Sequence, residues 1–224
     1  GIHAPTASDE KWTGDYVYYG KYDGNPVKYR VLAPQTNAYS DWTTMLLDCD
    51  TTLYTAPFNT SESNVWSTSS VRAGLNGNAF LNKDGVFTEI EKFAIAESFK
   101  DAGATYIDAY GSSLSGVALT GEQVFLLEAD EANNAEYGYS SDKARIKYGN
   151  TQRWLRSPTK EWDAAAGRVC STGAILDLKV TQSSDSDIGV SPAFNVDFDY
   201  VLFASRISGE GGATSGNEYK LTLQ

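Results

Sequence analysis

The chain has 224 residues, of which 41% are hydrophobic and 12% aromatic, a composition that excludes a disordered protein and permits a sizeable core. It carries 18 Lys and Arg against 29 Asp and Glu, a formal net charge of −11. This balance argues against nucleic acid as a partner, because affinity for phosphate depends on clustered cations. No apolar run reaches the roughly 18 residues that cross a bilayer, so we expect no membrane insertion.

The N-terminal quarter predicts a hairpin behind a polar start. Residues 1–13 are small and polar, so we expect a disordered linker there. Strand-forming residues dominate 16–22 and 27–31, and the turn residues 23–26 lie between them. This pattern predicts a β-hairpin, and the short apolar run at 44–48 predicts a third, more buried strand.

The middle of the chain predicts long loops and short helices. A Ser/Thr/Asn-rich loop spans 51–70, and Ser69 or Ser70 can cap a short helix that follows it. Thr88 and Glu91 have the spacing of a capping box and therefore predict the start of a second helix.

Strands dominate the second half. The apolar or alternating segments are 124–127, 167–170, 174–180, 191–196, 201–204 and 219–223. Strands outnumber helices and no βαβ alternation occurs, so we predict an α+β fold of mainly antiparallel, twisted sheets with a few short helices and long ordered loops. We expect a single domain at 14–206. The glycine-rich turn and terminal strand of 207–224 are then expected to lead to a further module of a longer protein.

The two cysteines, Cys49 and Cys170, are far apart in sequence. They are either two free, buried thiols or one long-range disulfide, which would need an oxidising compartment. No Cys-x-x-Cys pair accompanies them, so neither alternative predicts a metal site. We expect no cofactor and no metal, and the Asp-x-Asp pairs leave calcium binding open.

Three strings in the C-terminal third carry a resemblance to a known family. They are Trp-Leu-Arg-Ser-Pro at 154–158, Gly-Val-Ser-Pro-Ala-Phe-Asn at 189–195 and Val-Leu-Phe at 201–203. In this order they resemble an uncharacterised domain family of secreted and cell-surface proteins of Gram-positive gut bacteria. The resemblance covers nearly the whole chain and implies an extracellular or cell-surface location. One departure is Ser191, where the family usually has an arginine, so any interaction of that arginine is expected to be absent.

The resemblance also implies which residues build the scaffold. The expected framework residues are Trp154, Arg156, Pro158, Pro192, Phe194 and Asn195. Trp154 is expected in the core, and Arg156 as a buried cation paired to a carboxylate. The family is distantly similar to the C-type lectin and sulfatase-modifying-factor folds, which implies a compact, loop-rich chain. The calcium motifs of lectins are absent, so no calcium–sugar site is carried over.

Catalytic chemistry has few candidates. The only histidine, His3, lies in the expected linker, which argues against His-dependent triads and dyads. Glycoside hydrolysis needs only two carboxylates about 5–10 Å apart. The candidate pairs are Asp48 with Asp50, Glu128 with Glu131, Asp185 with Asp187, and Asp197 with Asp199. Each pair also fits a turn, a helix start or a strand end.

These observations favour a non-enzymatic binding or adhesion module whose ligand is a glycan or a host or cell-surface protein. An aromatic face beside a polar group can hold a sugar ring. The candidate ligand-binding residues are Trp162, Asp163, Trp66 and Tyr110. The tyrosines of the first hairpin are interpreted as cross-strand packing. The alternatives are a carboxylate-dependent carbohydrate-active enzyme and a structural spacer, and we expect a monomeric domain of a larger protein.

Overall fold

The fold is mostly β, with 37% strand and 13% helix in the computed structural model, which describes residues 1–182, 188–212 and 215–224. The strands before residue 126 are β1 Tyr16–Tyr22, β2 Asn25–Thr36, β3 Thr44–Cys49, β4 Tyr54–Thr55, β5 Ser98–Lys100, β6 Tyr106–Ile107, β7 Ser113–Leu114, β8 Leu119–Glu122 and β9 Val124–Phe125. Those after it are β10 Arg153–Pro158, β11 Ala165–Val169, β12 Ile175–Lys179, β13 Gly189–Val190, β14 Ala193–Asp197, β15 Val201–Ser208 and β16 Glu218–Leu223. The helices are α1 Ser70–Leu75, α2 Glu89–Ala94, α3 Ala129–Ala132 and α4 Asp142–Arg145, with 3₁₀ turns at Trp66–Thr68, Ala135–Tyr137 and Phe198–Tyr200.

Two larger sheets hold most of these strands. One has seven strands in the order β15-β16-β1-β2-β3-β14-β9, and the other has five in the order β12-β11-β10-β13-β4. Most neighbours are antiparallel, as predicted, but β1 pairs with β16 and β10 with β13 in parallel. Both sheets are therefore mixed. The pairs β5–β8 and β6–β7 form separate antiparallel ribbons.

The predicted first hairpin is formed by β1 and β2. Tyr22 pairs with Asn25, and the two residues between them, Asp23 and Gly24, have φ of 48° and 83°. Positive φ at both central residues is the geometry of a type I′ turn, whose twist matches that of the flanking strands. The prediction of a hairpin from these turn residues is therefore confirmed.

Side-chain caps begin the two helices that were predicted from capping residues. Ser69 Oγ accepts the N–H of Arg72 at 3.2 Å at the start of α1. At α2, Thr88 Oγ1 accepts from Glu91 N at 3.2 Å, and Glu91 Oε1 accepts from Thr88 N at 2.8 Å. This capping box satisfies N–H groups that a helix leaves unpaired at its start. Within the described ranges, no helix has the length and apolar character of a membrane span.

Both ends of the chain pack against the domain. Trp12 is buried, its ring meets Tyr16 edge-on at 5.2 Å, and its Nε1 donates to the Tyr137 carbonyl at 2.9 Å. This differs from the disordered linker expected for residues 1–13, because one buried indole with a paired N–H anchors an otherwise polar segment. The last strand, β16, lies between β15 and β1 inside the larger sheet.

The Pro-Ala-Phe-Asn string is built into the larger sheet. Phe194 on β14 meets the ring of Tyr29 at 4.9 Å and that of Phe87 at 5.8 Å. Asn195 is buried, and its Nδ2 donates to a serine hydroxyl of β5 at 3.0 Å. Pro192 precedes β14, where a proline removes no bond from the strand ladder.

The Trp-Leu-Arg-Ser-Pro string forms β10 of the smaller sheet. Trp154 is buried, and its Nε1 donates to the Ala56 carbonyl at 2.9 Å. Arg156 is also fully buried and donates to the carboxylate of Glu131. Pro158 is the last residue of the strand. The string therefore contributes core packing and one internal cation.

The two cysteines are free thiols in different environments. Cys49 is buried on β3, whereas Cys170 is partly exposed. Burial raises the pKa of the Cys49 thiol to about 12, although the nearby Lys147 opposes this shift.

Iodoacetamide is expected to alkylate Cys170 in the folded protein and Cys49 only after unfolding, because the exposed thiolate is the reactive form. Peptide mass spectrometry with and without urea measures the labelling at each site. A Cys170→Ser variant is the control and should take up almost no label while folded. Rapid labelling of Cys49 in the native protein would contradict its burial.

Candidate binding pocket

Tyr110 and Trp162 lie exposed on two loops that are bonded to each other. Their side chains are 84% and 50% exposed. Ser113 N donates to Glu161 Oε2 at 2.9 Å, and Lys160 N donates to the Ser113 carbonyl at 2.9 Å, so the two loops are neighbours. Neither aromatic lines the two cavities described below.

Asp163 and Trp66 differ in how accessible they are. Asp163 is exposed, and its carbonyl accepts from Asn64 N at 2.8 Å. Trp66, in contrast, is only 2% exposed, and its Nε1 donates to Glu122 Oε2 at 2.7 Å. A carboxylate and the aromatic core enclose the indole, so Trp66 cannot contact a surface ligand. The polar sequence around it indicated a loop correctly but gave no sign that its side chain points inward.

A cavity of about 460 Å³ lies beside the first hairpin. Three aromatic rings line it, those of Tyr18, Tyr22 and Tyr148. Between them are polar side chains of Asp23, Asn25, Lys28, Asp50, Thr51 and Thr52. We call this cavity the tyrosine pocket. Aromatic walls with a few polar groups are the usual lining of a small-ligand site.

The hairpin wall of the tyrosine pocket is held by packing. Tyr22 stacks on Tyr54 at 6.0 Å, and its hydroxyl donates to the Ala79 carbonyl at 3.3 Å. Lys28 Nζ lies 5.9 Å from the centre of the Tyr18 ring and is paired with Glu218. The two rings therefore have defined orientations before any ligand arrives, which lowers the entropy cost of binding.

The opposite wall is formed by Tyr148, whose side chain is 79% exposed. Its backbone is fixed on both sides: Tyr148 N donates to the Asp50 carbonyl at 2.9 Å, and Thr51 Oγ1 donates to the Tyr148 carbonyl at 2.9 Å. The backbone of Tyr148 is thus fixed beside the end of β3, while its side chain remains open to solvent.

A buried ion pair supports this wall from beneath. Lys147 Nζ lies 2.8 Å from Asp48 Oδ1 and 2.7 Å from Ser191 Oγ. Ser191 is the position at which the resemblance expects an arginine. Lys147, from a different segment, places its amino group beside the Ser191 hydroxyl.

The buried pair does not form a reactive serine–lysine site. Burial lowers the pKa of Lys147 to about 7, although the Asp48 carboxylate opposes the shift. Ser191 Oγ is also within hydrogen-bond distance of two carbonyls, Cys49 O at 3.1 Å and Thr51 O at 2.8 Å. Because its side chain is buried beneath the pocket, no substrate can reach the hydroxyl.

Two of the carboxylate pairs considered for catalysis are held in ion pairs, and a third lies at a 3₁₀ turn. Asp48 is bound to Lys147 and Asp50 to Arg30. Glu128 pairs with Lys100, and Glu131 with Arg156. Asp197 accepts from Asp199 N at 2.9 Å and so begins a 3₁₀ turn. Asp185 and Asp187 lie outside the described residues. The described part of the chain holds no group of three or more His, Cys, Asp or Glu that could bind a metal ion.

The comparisons with known proteins identify a family but no function. A family model described as a domain of unknown function (DUF6273) matches residues 43–198, more than half of the chain, and the chain belongs to this family. The prediction of an uncharacterised domain family is thereby confirmed. No curated protein and no solved structure matched the chain.

The matched range divides the tyrosine pocket. Asp50, Thr51 and Tyr148 lie inside it, whereas β1 and β2, with Tyr18 and Tyr22, precede it. The pocket is therefore assembled from residues within the family domain and residues of the preceding hairpin.

Proposed function

We propose that this protein is a non-enzymatic binding module that holds a glycan in the tyrosine pocket. The observation that carries the proposal is the lining of this pocket, which combines three tyrosines with residues that have carboxylate, amide and hydroxyl groups. The C–H face of a sugar ring packs on an aromatic side chain, and its hydroxyls take the polar partners. Trp162, Asp163 and Tyr110 form a second exposed surface that could contact a larger ligand.

The finer features of the proposal rest on the family resemblance. They are an adhesion role, location outside the cell or on its surface, a gut-bacterial source, a C-type lectin-like architecture, and membership of a larger protein as a monomeric domain. A carboxylate-dependent enzyme is favoured less, because the carboxylates of Asp48, Asp50, Glu128 and Glu131 are already paired with lysine or arginine. A spacer would need no cavity lined by oriented aromatic rings.

Replacing Tyr148 with alanine is expected to weaken glycan binding by about tenfold or more, since loss of one well-placed aromatic contact costs about 1.4 kcal/mol or more. A glycan array should first identify the bound sugars, and titration calorimetry then compares the variants. The fold should be unaffected, because the Tyr148 side chain is exposed.

A Trp42→Ala variant, which removes an exposed ring that lines neither cavity, is the matched control and should bind the same sugars as the wild type. If glycan binding were lost with Trp162→Ala but not with Tyr148→Ala, the glycan site would lie at the Trp162 loop. Absence of any bound glycan from the array would overturn the proposal.

A further inference from the structure

A second cavity, of about 860 Å³, opens where β1 leaves β16. Its apolar lining comes from β1, the 85–91 segment and β16, namely Tyr19, Val86, Phe87, Ile90, Leu221 and Leu223. We call it the apolar groove. Its volume lies within the range of about 300–1,000 Å³ that is typical of ligand sites. Tyr18 and Pro26 line both cavities, so the groove and the tyrosine pocket are adjacent.

The groove exists because β1 and β16 pair over only three positions. The parallel register runs from Tyr16↔Glu218 to Tyr18↔Lys220. Gly20 then has φ of 63°, and Lys21 N donates to the Val86 carbonyl at 2.8 Å, so β1 turns toward the 85–91 segment. A Cβ on Gly20 would lie 2.7 Å from the Phe87 ring, which explains the glycine.

β16 continues past the point at which β1 departs. Residues 221–223 pair with β15 on one side, and within the described residues they have no strand partner on the side of the groove. An unpaired strand edge presents N–H and C=O groups that can bond another extended chain. Apolar surface also continues across the sheet, since Leu202, Phe203 and Ile207 of β15 are each more than half exposed.

Two lysines and two glutamates line the groove. Lys21 and Lys220 line it, and in the part of the chain that the structure describes their ammonium groups have no hydrogen-bond or ion-pair partner. Glu218 is paired with Lys28, whereas Glu91 keeps its negative charge while its two oxygens accept from Gly20 N and Thr88 N. Two free cations beside an apolar groove, in a chain of net charge −11, complement an anionic ligand.

We propose that the apolar groove binds an extended segment of a partner protein, with apolar side chains and at least one acidic residue, which adds as a strand to the free side of β16. The strand edge favours a peptide over a fatty acid, because an acyl chain would satisfy the lysines and the apolar lining but leave the backbone groups unpaired. Main-chain bonds supply affinity in such strand addition, and alternate side chains supply specificity. The proposal is independent of the glycan site.

The probe is a displayed library of random peptides about 10 residues long, enough for one strand. Selection on the whole chain is expected to enrich peptides with alternating apolar residues and acidic residues near one end. Labelled copies should lose affinity by about tenfold or more for a Lys21→Glu, Lys220→Glu double variant, and binding should weaken with salt. N-methylation of alternate peptide nitrogens should remove binding, because it blocks the strand bonds.

The matched control is a Lys11→Glu, Lys143→Glu double variant, which changes net charge equally at exposed sites away from the groove. It should bind the selected peptide as the wild type does. The proposal would be overturned if the enriched peptides bound the Lys21→Glu, Lys220→Glu variant as tightly as the wild type. It would also be overturned if N-methylated peptides still bound. A third outcome would also overturn it: the library enriches no peptide, and laurate binds in a way that depends on both lysines. The occupant would then be an anionic lipid. Glycan binding should be weakened by Tyr148→Ala and unchanged in the Lys21→Glu, Lys220→Glu variant. This result would show that the glycan site and the peptide site are separate.

Discussion

Replacement of Arg156 by methionine is expected to lower the free energy of unfolding by about 3–5 kcal/mol, the cost of leaving buried charges without their partner. Arg156 is fully buried on β10, and besides Glu131 it bonds the carbonyls of Leu126 at 2.7 Å and Val117 at 3.0 Å. Methionine keeps much of the volume but satisfies neither the carbonyls nor the carboxylate.

The effect of Arg156→Met should depend on pH. Burial would raise the pKa of Glu131, but Arg156 and Lys100 with the Tyr39 hydroxyl hold it below its ordinary value. A lowered pKa stabilises the fold above the carboxyl's unfolded pKa of about 4.3, and this stabilisation is lost as pH falls. The difference between wild type and variant should therefore be largest near neutral pH and shrink in acid.

Urea unfolding of wild type, Arg156→Met, Arg156→Lys and Lys143→Met would measure these differences. Arg156→Lys keeps a charge but lacks the planar fork of donors, so an intermediate loss is expected. Lys143 is exposed, and Lys143→Met should change stability by about 0.5 kcal/mol or less. An Arg156→Met protein as stable as the wild type at neutral pH would show that the buried cation is not needed.

The free energy of unfolding is expected to rise with pH between about 7 and about 10 through the titration of Lys147. Burial lowers the pKa of Lys147 to about 7, with further lowering by Arg153 and Arg30. Between this value and the unfolded pKa of about 10.4, the unfolded chain holds a proton that the folded chain releases. The slope is positive and reaches at most about 1.4 kcal/mol per pH unit, and below pH 7 the contribution becomes constant.

Other buried groups oppose this trend, so the measurement must isolate Lys147. Burial raises the pKa of Cys49 to about 12, and the folded chain then keeps a proton that the unfolded chain loses above pH of about 8.5. The informative quantity is the unfolding free energy of wild type minus that of Lys147→Met, in which the titrations of groups that do not interact with Lys147 cancel and that of Cys49, which Lys147 influences, cancels in part. This difference should increase from neutral to alkaline pH, whereas Lys143→Met should give a flat difference. A flat Lys147 difference would mean that the ammonium keeps its ordinary pKa.

Local sequence signals predicted much of the secondary structure because they act through near neighbours. The turn residues Asp23 and Gly24 made the first hairpin, and Thr88 with Glu91 made the capping box of α2. The α+β prediction is confirmed at the level of mainly antiparallel sheets with short helices. Parallel pairing of β1 with β16 was not foreseen, since it joins residues about two hundred positions apart and no local pattern encodes it.

The candidate site was harder to predict. The polar sequence around Trp66 predicts a loop aromatic that binds a ligand, yet its indole is enclosed by the core and bonded to Glu122. The sequence predicts cross-strand packing for Tyr18 and Tyr22, and it gives no local signal that marks Tyr148 as a ligand-binding residue. Tyr148 lies far from both in sequence, and only the bonds of its backbone to Asp50 and Thr51 bring it opposite the hairpin.

The sequence alone established the acidic character of the chain, its family and the positions of several helices and turns. Each of these depends on residue identity or on short spacings. The tertiary structure decided which side chains face inward, that Lys147 places its amino group beside Ser191, and where β1 leaves β16. These outcomes depend on contacts between distant segments, whose geometry follows from packing and from pairing of buried charges. The two cavities arise from the same cause, since neither is lined by one continuous stretch of chain.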